Sequence, residues 1–294
     1  MTLTLTTLPL IDVEATSSPS GGGRTDRVIV GEPWTAVQMP LGLDQPLRLL
    51  GSERSALEGL RRDARDGWLG TIGGIVEEAV SGVLRSETVG VRLPPILLTG
   101  ERGAGRTHLA RRFARAAGLP HVTLDLAGHA SMRPSVRGPD IALPSVPVLA
   151  MAATRCANPV VTVLAADRLQ PEVQRELAWA FDKVNASRWC EEALSGFVDL
   201  GHVTWIVQAE DSDAMCPFLR QMLRPACVTW PGQSDVELHL AEILAEAAID
   251  QNHGELDGAT VADALAAMAS ASRSPRRSTA ELYRVACSAL AKSL

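Results

Sequence analysis

The sequence lacks a basic amino-terminal region followed by a long apolar run, and no later stretch has the length of a membrane span. Neither a secretory leader nor a membrane helix organises the chain, and the expectation is a cytoplasmic protein. Cysteine is sparse and scattered: Cys156, Cys190, Cys216, Cys227 and Cys287 form no CxxC pair and have no His-rich partner stretch. That argues against zinc and disulfide frameworks and fits a reducing compartment. Positive charge is not in excess either. Lys and Arg total 28 against 34 Asp and Glu, a net charge of −6, which argues against a nucleic-acid binder held by bulk positive charge. What remains is an ordinary globular composition, 46% hydrophobic and 21% charged, in 294 residues, enough for one large and one small domain.

The segment Val28–Leu50 is mildly apolar, interrupted by prolines and carries no assignment, whereas residues from Met1 to about Val30 mix Thr, Ser, Pro and Gly, including Ser17-Ser-Pro-Ser-Gly-Gly-Gly23, and bury too little to offset their ordering entropy. They read as a flexible extension. From Ser52 to about Leu84, apolar residues at helical spacing (Leu57, Leu60, then Ile72, Ile75, Val76, Val80, Val83) predict two helices. The pattern then changes to short apolar runs: Pro95–Gly100, His121–Leu126, Pro159–Leu164, His202–Val207 and Ala226–Trp230. Helical stretches alternate with them at Arg106–Ala117, Pro147–Thr154 and Glu172–Val184. Continuous apolar strands alternating with helices predict a parallel sheet covered on both faces. After Pro231-Gly232 only helices are expected, at Asp235–Ile249, Thr260–Met268 and Thr279–Lys292. The expected division is therefore an extension over 1–48, an α/β domain over 49–232 and a helical domain over 233–294.

Gly100-Glu101-Arg102-Gly103-Ala104-Gly105-Arg106-Thr107 fits G-x-x-x-x-G-K-[ST] with Arg in place of Lys, directly between a strand and a helix. Glycines let the backbone wrap closely around phosphates, and the following helix presents its N-terminal dipole. In this pattern the Thr107 hydroxyl would hold Mg²⁺ and position 106 would reach the outer phosphates of ATP or ADP. Arginine keeps the charge but is larger, planar and forked where a compact ammonium is wanted. Phosphate binding through backbone N–H groups should survive this better than placement of the γ-phosphate.

From Arg92 to Leu294 the motif order resembles the bacterial AAA+ ATPases related to the ATPase module of Lon protease. The resemblance implies a P-loop AAA+ fold, a parallel five-stranded sheet with helices on both faces, followed by a small all-α lid. In that family a second motif ends an apolar strand with Asp-Glu, which order Mg²⁺ and polarise the attacking water. The matching stretch is Pro159-Val-Val-Thr-Val-Leu-Ala-Ala-Asp-Arg-Leu169, with Leu164 and Ala165 at the positions of the two acids. Asp167 matches a later acid, and takes the metal role only if the strand end is altered. Glu210 stands where the family's Asn senses the γ-phosphate, placing an acceptor where a donor is wanted. Asp167 and Glu210 are the candidates for any residual catalysis. Gln221 replaces the arginine that reaches a neighbouring subunit's nucleotide, with Arg220 and Arg224 close by. Ser274-Pro-Arg-Arg-Ser278 resembles the lid's sensor segment, so Arg276 or Arg277 is the lid group expected near nucleotide.

No Phe, Trp or Tyr occurs between Phe113 and Trp179, so the aromatic pore loop of Lon-type unfoldases is missing, and Arg137-Gly-Pro-Asp140 fills the corresponding loop. The chain ends after the lid, so a Ser-Lys peptidase domain is not expected. His121 and His202 flank apolar strands and read as structural, and Cys156 and Cys190 lack the context of a nucleophile. Arg106, Arg111, Arg112 and Arg115 form one solvated helix face, with some capacity for phosphate-bearing ligands. A missing general base costs roughly 10²–10⁴-fold and a missing arginine finger roughly 10³–10⁵-fold, non-additively. The resemblance therefore implies a nucleotide-binding scaffold or regulatory subunit with weak or absent hydrolysis. Its partners would be proteins, in a ring or beside an active AAA+ relative. Two alternatives stay open: an active ATPase using Asp167 and Glu210 in rearranged roles, and a nucleotide-free interaction domain.

Overall fold

The computed structural model describes residues 10–14, 27–28, 47–66, 72–86, 90–133, 144–194, 196–232, 235–254, 256–274 and 277–292. Its chain divides into two compact units, Met1–Thr99 with Ala110–Ala226, and Gly100–Leu109 with Cys227–Leu294.

The first unit is built on a sheet. Its strands are β1 (Leu10–Glu14), β4 (Ile96–Gly100), β5 (His121–Asp125), β6 (Val160–Val163), β9 (Thr204–Gln208) and β10 (Arg224–Val228), in the order β1-β5-β6-β9-β4-β10. β5, β6, β9 and β4 run parallel, with Val122 beside Val161, Val161 beside Trp205, and Ile96 beside Ile206. On the far side β10 follows β4 in the same sense, since Arg224 N–H donates to the Pro95 carbonyl and Thr99 Oγ1 to that of Ala226. The central strands β6 (VVTV) and β9 (TWIVQ) are buried at every position, as expected for strands covered on both faces. This is the expected five-stranded parallel sheet with helices. β10 begins two residues before the run Ala226–Trp230, because exposed Arg224 and Pro225 take edge positions with no apolar signature. β1 adds a sixth, antiparallel strand from within the segment read as an extension.

Helices α1 (Arg54–Asp66) and α2 (Gly73–Ser86) pack on each other, and α3 (Arg106–Ala116) follows β4. α4 (Val146–Thr154) is buried from Val146 to Ala152, which explains why its sequence has no polar face. The stretch Glu172–Val184 is not one helix. α5 (Pro171–Phe181) stops where Asp182 caps the short α6 (Lys183–Ser187), accepting from the Val184 and Asn185 N–H groups at 3.1 and 3.0 Å. A small hairpin, β7 (Trp189–Glu191) with β8 (Gly196–Val198), and the short helix α7 (Pro217–Gln221) complete the unit. A two-stranded pairing of β2 (Arg27–Val28) with β3 (Leu47–Arg48) lies apart from the main sheet.

The second unit holds the helices α8 (Val236–Asp250), α9 (Gly258–Ser272) and α10 (Thr279–Leu290) around Ile243, Ala247, Ala264, Met268, Leu282 and Ala286. Asp257 caps α9 and Ser278 caps α10. Among the described residues no helix is long and apolar enough to cross a membrane.

Candidate nucleotide site and the strand ends

The phosphate-loop sequence folds as a turn between β4 and α3. Gly100, Gly103 and Gly105 have φ of 120°, 86° and 96°, a backbone region that side chains disfavour. A Cβ on Gly100 would stand 1.9 Å from the Val228 carbonyl oxygen, so only glycine lets the chain leave the sheet here. Inside the loop, Ala104 N–H donates to the Glu101 carbonyl (3.2 Å), and Leu109 N–H opens the helix by donating to Gly105 (2.8 Å). Glu101 and Arg102 are exposed, Ala104 is buried, and Gly103, Gly105, Arg106 and Thr107 are half-buried. The glycines thus supply the backbone shape that a phosphate cradle needs.

Gly100–Leu109 belongs to the same compact unit as the helices after Ala226, and the contacts within that unit are specific. The Gly103 carbonyl accepts from Thr279 N–H (2.9 Å) and from Thr279 Oγ1 (3.2 Å). His108 Nε2 lies 2.7 Å from Glu246 Oε2, both side chains nearly buried, and the His108 ring meets Tyr283 edge-on at 6.2 Å. Arg277 stacks its guanidinium 4.9 Å from the Trp230 ring centre, and Trp230 in turn meets His239 edge-on. Arg276 lies outside the described residues. Sequence reasoning missed Thr279, Ser278 and His108. The signal was present for the first two, because Ser278-Thr-Ala-Glu281 has capping-box spacing and the Ser278 hydroxyl accepts from Glu281 N–H at 3.1 Å.

In the first unit, the ends of β6 and β9 are arranged differently. β6 stops at Val163, Leu164 N–H donates to the Leu124 carbonyl, and Ala165 turns the chain with φ 47° and ψ 49°. The turn leads into a 3₁₀ segment, Ala166–Arg168, that carries Asp167. The Asp167 carboxylate accepts from the backbone N–H groups of Glu210 (3.3 Å) and Asp211 (3.4 Å). The Glu210 carboxylate lies 2.6 Å from Arg168 Nη2. The structure therefore brings Asp167 and Glu210 together, but through a clasp joining two strand ends. Nothing in the residue types forecasts the left-handed alanine.

The arginines near Gln221 are also engaged. Arg220 pairs with Asp213, and Arg224 with Glu78 at 3.0 Å. Among the described residues no group of three or more His, Cys, Asp or Glu is arranged to hold a metal ion. His121 is buried with Nε2 2.9 Å from Thr162 Oγ1, and burial, helped by the Arg111 charge, pushes its pKa down to about 4. Burial pushes the Cys156 thiol up to about 11, despite hydrogen bonds from the Asn158 and Leu50 backbone, so it is an inert neutral thiol. Cys190 is exposed and sits on β7. The loop Arg137–Asp140 lies outside the described residues.

No family model matches the chain, and no curated relative does. The fold, in contrast, is widely shared, with 721 solved chains matching it. One is a closed-state cryo-EM reconstruction of Hsp104 with ATPγS and FITC-casein, at 14% identity and a TM-score of 0.56. The match covers 79% of this chain and 47% of that one, so the chain spans about half the length of its structural neighbour. With the parallel sheet, the P-loop turn and the trailing helices, this defines a AAA+ α/β fold with a helical lid.

Proposed function

We propose that this chain is a AAA+ nucleotide-binding module that holds ATP or ADP and hydrolyses it weakly or not at all, acting as a scaffold or regulatory subunit. The observation that carries this reading is the clasp between the ends of β6 and β9. At the positions where an acid pair is expected stand Leu164 and a left-handed Ala165, and the next carboxylate, Asp167, is committed to two backbone N–H groups. Glu210 is neutralised by Arg168 and offers no donor to a γ-phosphate. Binding is supported by the left-handed glycines of the loop and by α3 starting directly behind it. Its backbone suits a triphosphate or diphosphate, with Arg106 next to the outer phosphates. Mg²⁺ would arrive with the nucleotide and keep most of its waters, with the Thr107 hydroxyl as the protein's donor.

The motif order favours kinship with the Lon ATPase module and a bacterial, cytoplasmic setting. In a ring, with copies of itself or an active relative, such a subunit would contribute nucleotide-dependent shape without turnover. The test is the melting temperature with and without ATP and Mg²⁺. A rise of several degrees at saturating nucleotide is expected, since a ligand at 100 times its Kd stabilises by about 2.7 kcal/mol. No shift with any nucleotide would point instead to a plain interaction domain.

A further inference from the structure

The Gly103 carbonyl accepts from two donors on the lid side, Thr279 N–H and Thr279 Oγ1, which fix its direction. Thr279 itself is 2% exposed. The fit around it is close: a Cβ on Gly105 would meet Thr279 Oγ1 at 2.7 Å, and one on Gly103 would meet Ser278 Cβ at 2.9 Å. A second tie, from His108 in the first turn of α3 to Glu246 on α8, is independent of it. A backbone nest gathers its N–H groups on one side and must turn its carbonyls to the other. Whatever holds a carbonyl turned away therefore sets the nest before any anion arrives.

We propose that Thr279 is a positioning residue for the phosphate loop, a latch by which the lid pre-organises the loop for nucleotide. Lid attachment and nucleotide occupancy are then coupled. The inference rests on the nucleotide-binding reading and deepens it. By linkage, the latch that favours nucleotide is in turn tightened by nucleotide. The cost of ordering the loop is met in the folded protein instead of at binding.

Thr279 opens α10, so proline suits the position: the first helical residue tolerates its missing N–H and its fixed φ. Ser278, at φ −150° and ψ 153°, already has the extended backbone that precedes proline. Thr279→Pro therefore deletes both donors to Gly103 while keeping the helix start. In the full chain, titration with ADP and Mg²⁺ should give about 10-fold weaker binding for Thr279→Pro, from two neutral hydrogen bonds. A smaller loss is expected for Thr279→Val, and affinity near wild type for Thr279→Ser. Amide exchange at Ala104 and Leu109 should quicken in Thr279→Pro without nucleotide, while the middle of α10 stays protected. Equal affinity across all four proteins would overturn the latch. If α10 loses protection in Thr279→Pro, the comparison of Thr279→Val with Thr279→Ser decides in the same way. If wild type binds no nucleotide, the nucleotide reading fails. The latch is then judged by exchange alone: unchanged exchange at Ala104 and Leu109 overturns it, and faster exchange sustains it.

Discussion

The phosphate loop and the ends of β6 and β9 are both expected nucleotide-handling regions, yet they depart from the expected pattern in opposite ways. The loop keeps its three left-handed glycines and changes one side chain, Arg106. The strand ends keep their backbone order in the sheet, but where the resemblance implies an acid pair and a sensor Asn they carry Leu164, Ala165 and Glu210, beside a clasp of Asp167, Arg168 and Glu210. Cradling a phosphate is work for backbone N–H groups, which tolerate substitution as long as φ is preserved. Polarising water and sensing a γ-phosphate are work for particular side chains, which do not. On the proposed reading, the site has lost its chemistry and retained its capacity to bind.

The largest expected break in this comparison comes from backbone strain in the loop. Gly100→Val places a Cβ against the Val228 carbonyl at a φ of 120°, and should cost at least ~3 kcal/mol, read as a lower denaturant midpoint. Acid should distinguish the sheet from the loop. His121 is held near pKa 4 in the folded state, against about 6.5 unfolded. Between these values the unfolded chain binds a proton that the folded chain refuses, so stability falls as pH drops from about 6.5 to 4. The loss reaches up to ~3 kcal/mol. His121→Gln, which cannot titrate, should flatten the pH dependence of the melting temperature in that window.

Smaller effects probe the clasp. Asp167→Ala leaves two backbone N–H groups without their carboxylate and should cost about 1 kcal/mol by chemical denaturation, with phosphate release unchanged. Arg168→Ala removes an exposed ion pair and should cost less than ~1 kcal/mol, decreasing further at high salt. If Asp167→Ala instead abolished a measurable turnover, the two regions would have to be read as parts of one working site.

Much of the fold was legible because its signals are local. Apolar runs such as Val160–Val163 and Thr204–Gln208 announce strands buried on both faces, and Gly100–Thr107 announces the turn between strand and helix. What was not legible depends on partners distant in sequence. β1 becomes a strand only by pairing with β5, more than 100 residues on. The break at Asp182 turns on a side chain choosing to cap rather than continue a helix. The site divides in the same way. The loop was readable from its spacing, whereas the clasp needed the fold to bring Asp167 to Glu210, and the latch needed it to bring Thr279 to Gly103.

Binding without turnover is tested most directly by titrating ATP with Mg²⁺ and following phosphate release in the same samples, with Arg106→Ala as control. The account predicts saturable binding by the wild type, weakened in Arg106→Ala, with release in both no faster than buffer. Release clearly above the Arg106→Ala background and lost in Asp167→Asn would contradict it and establish an active ATPase.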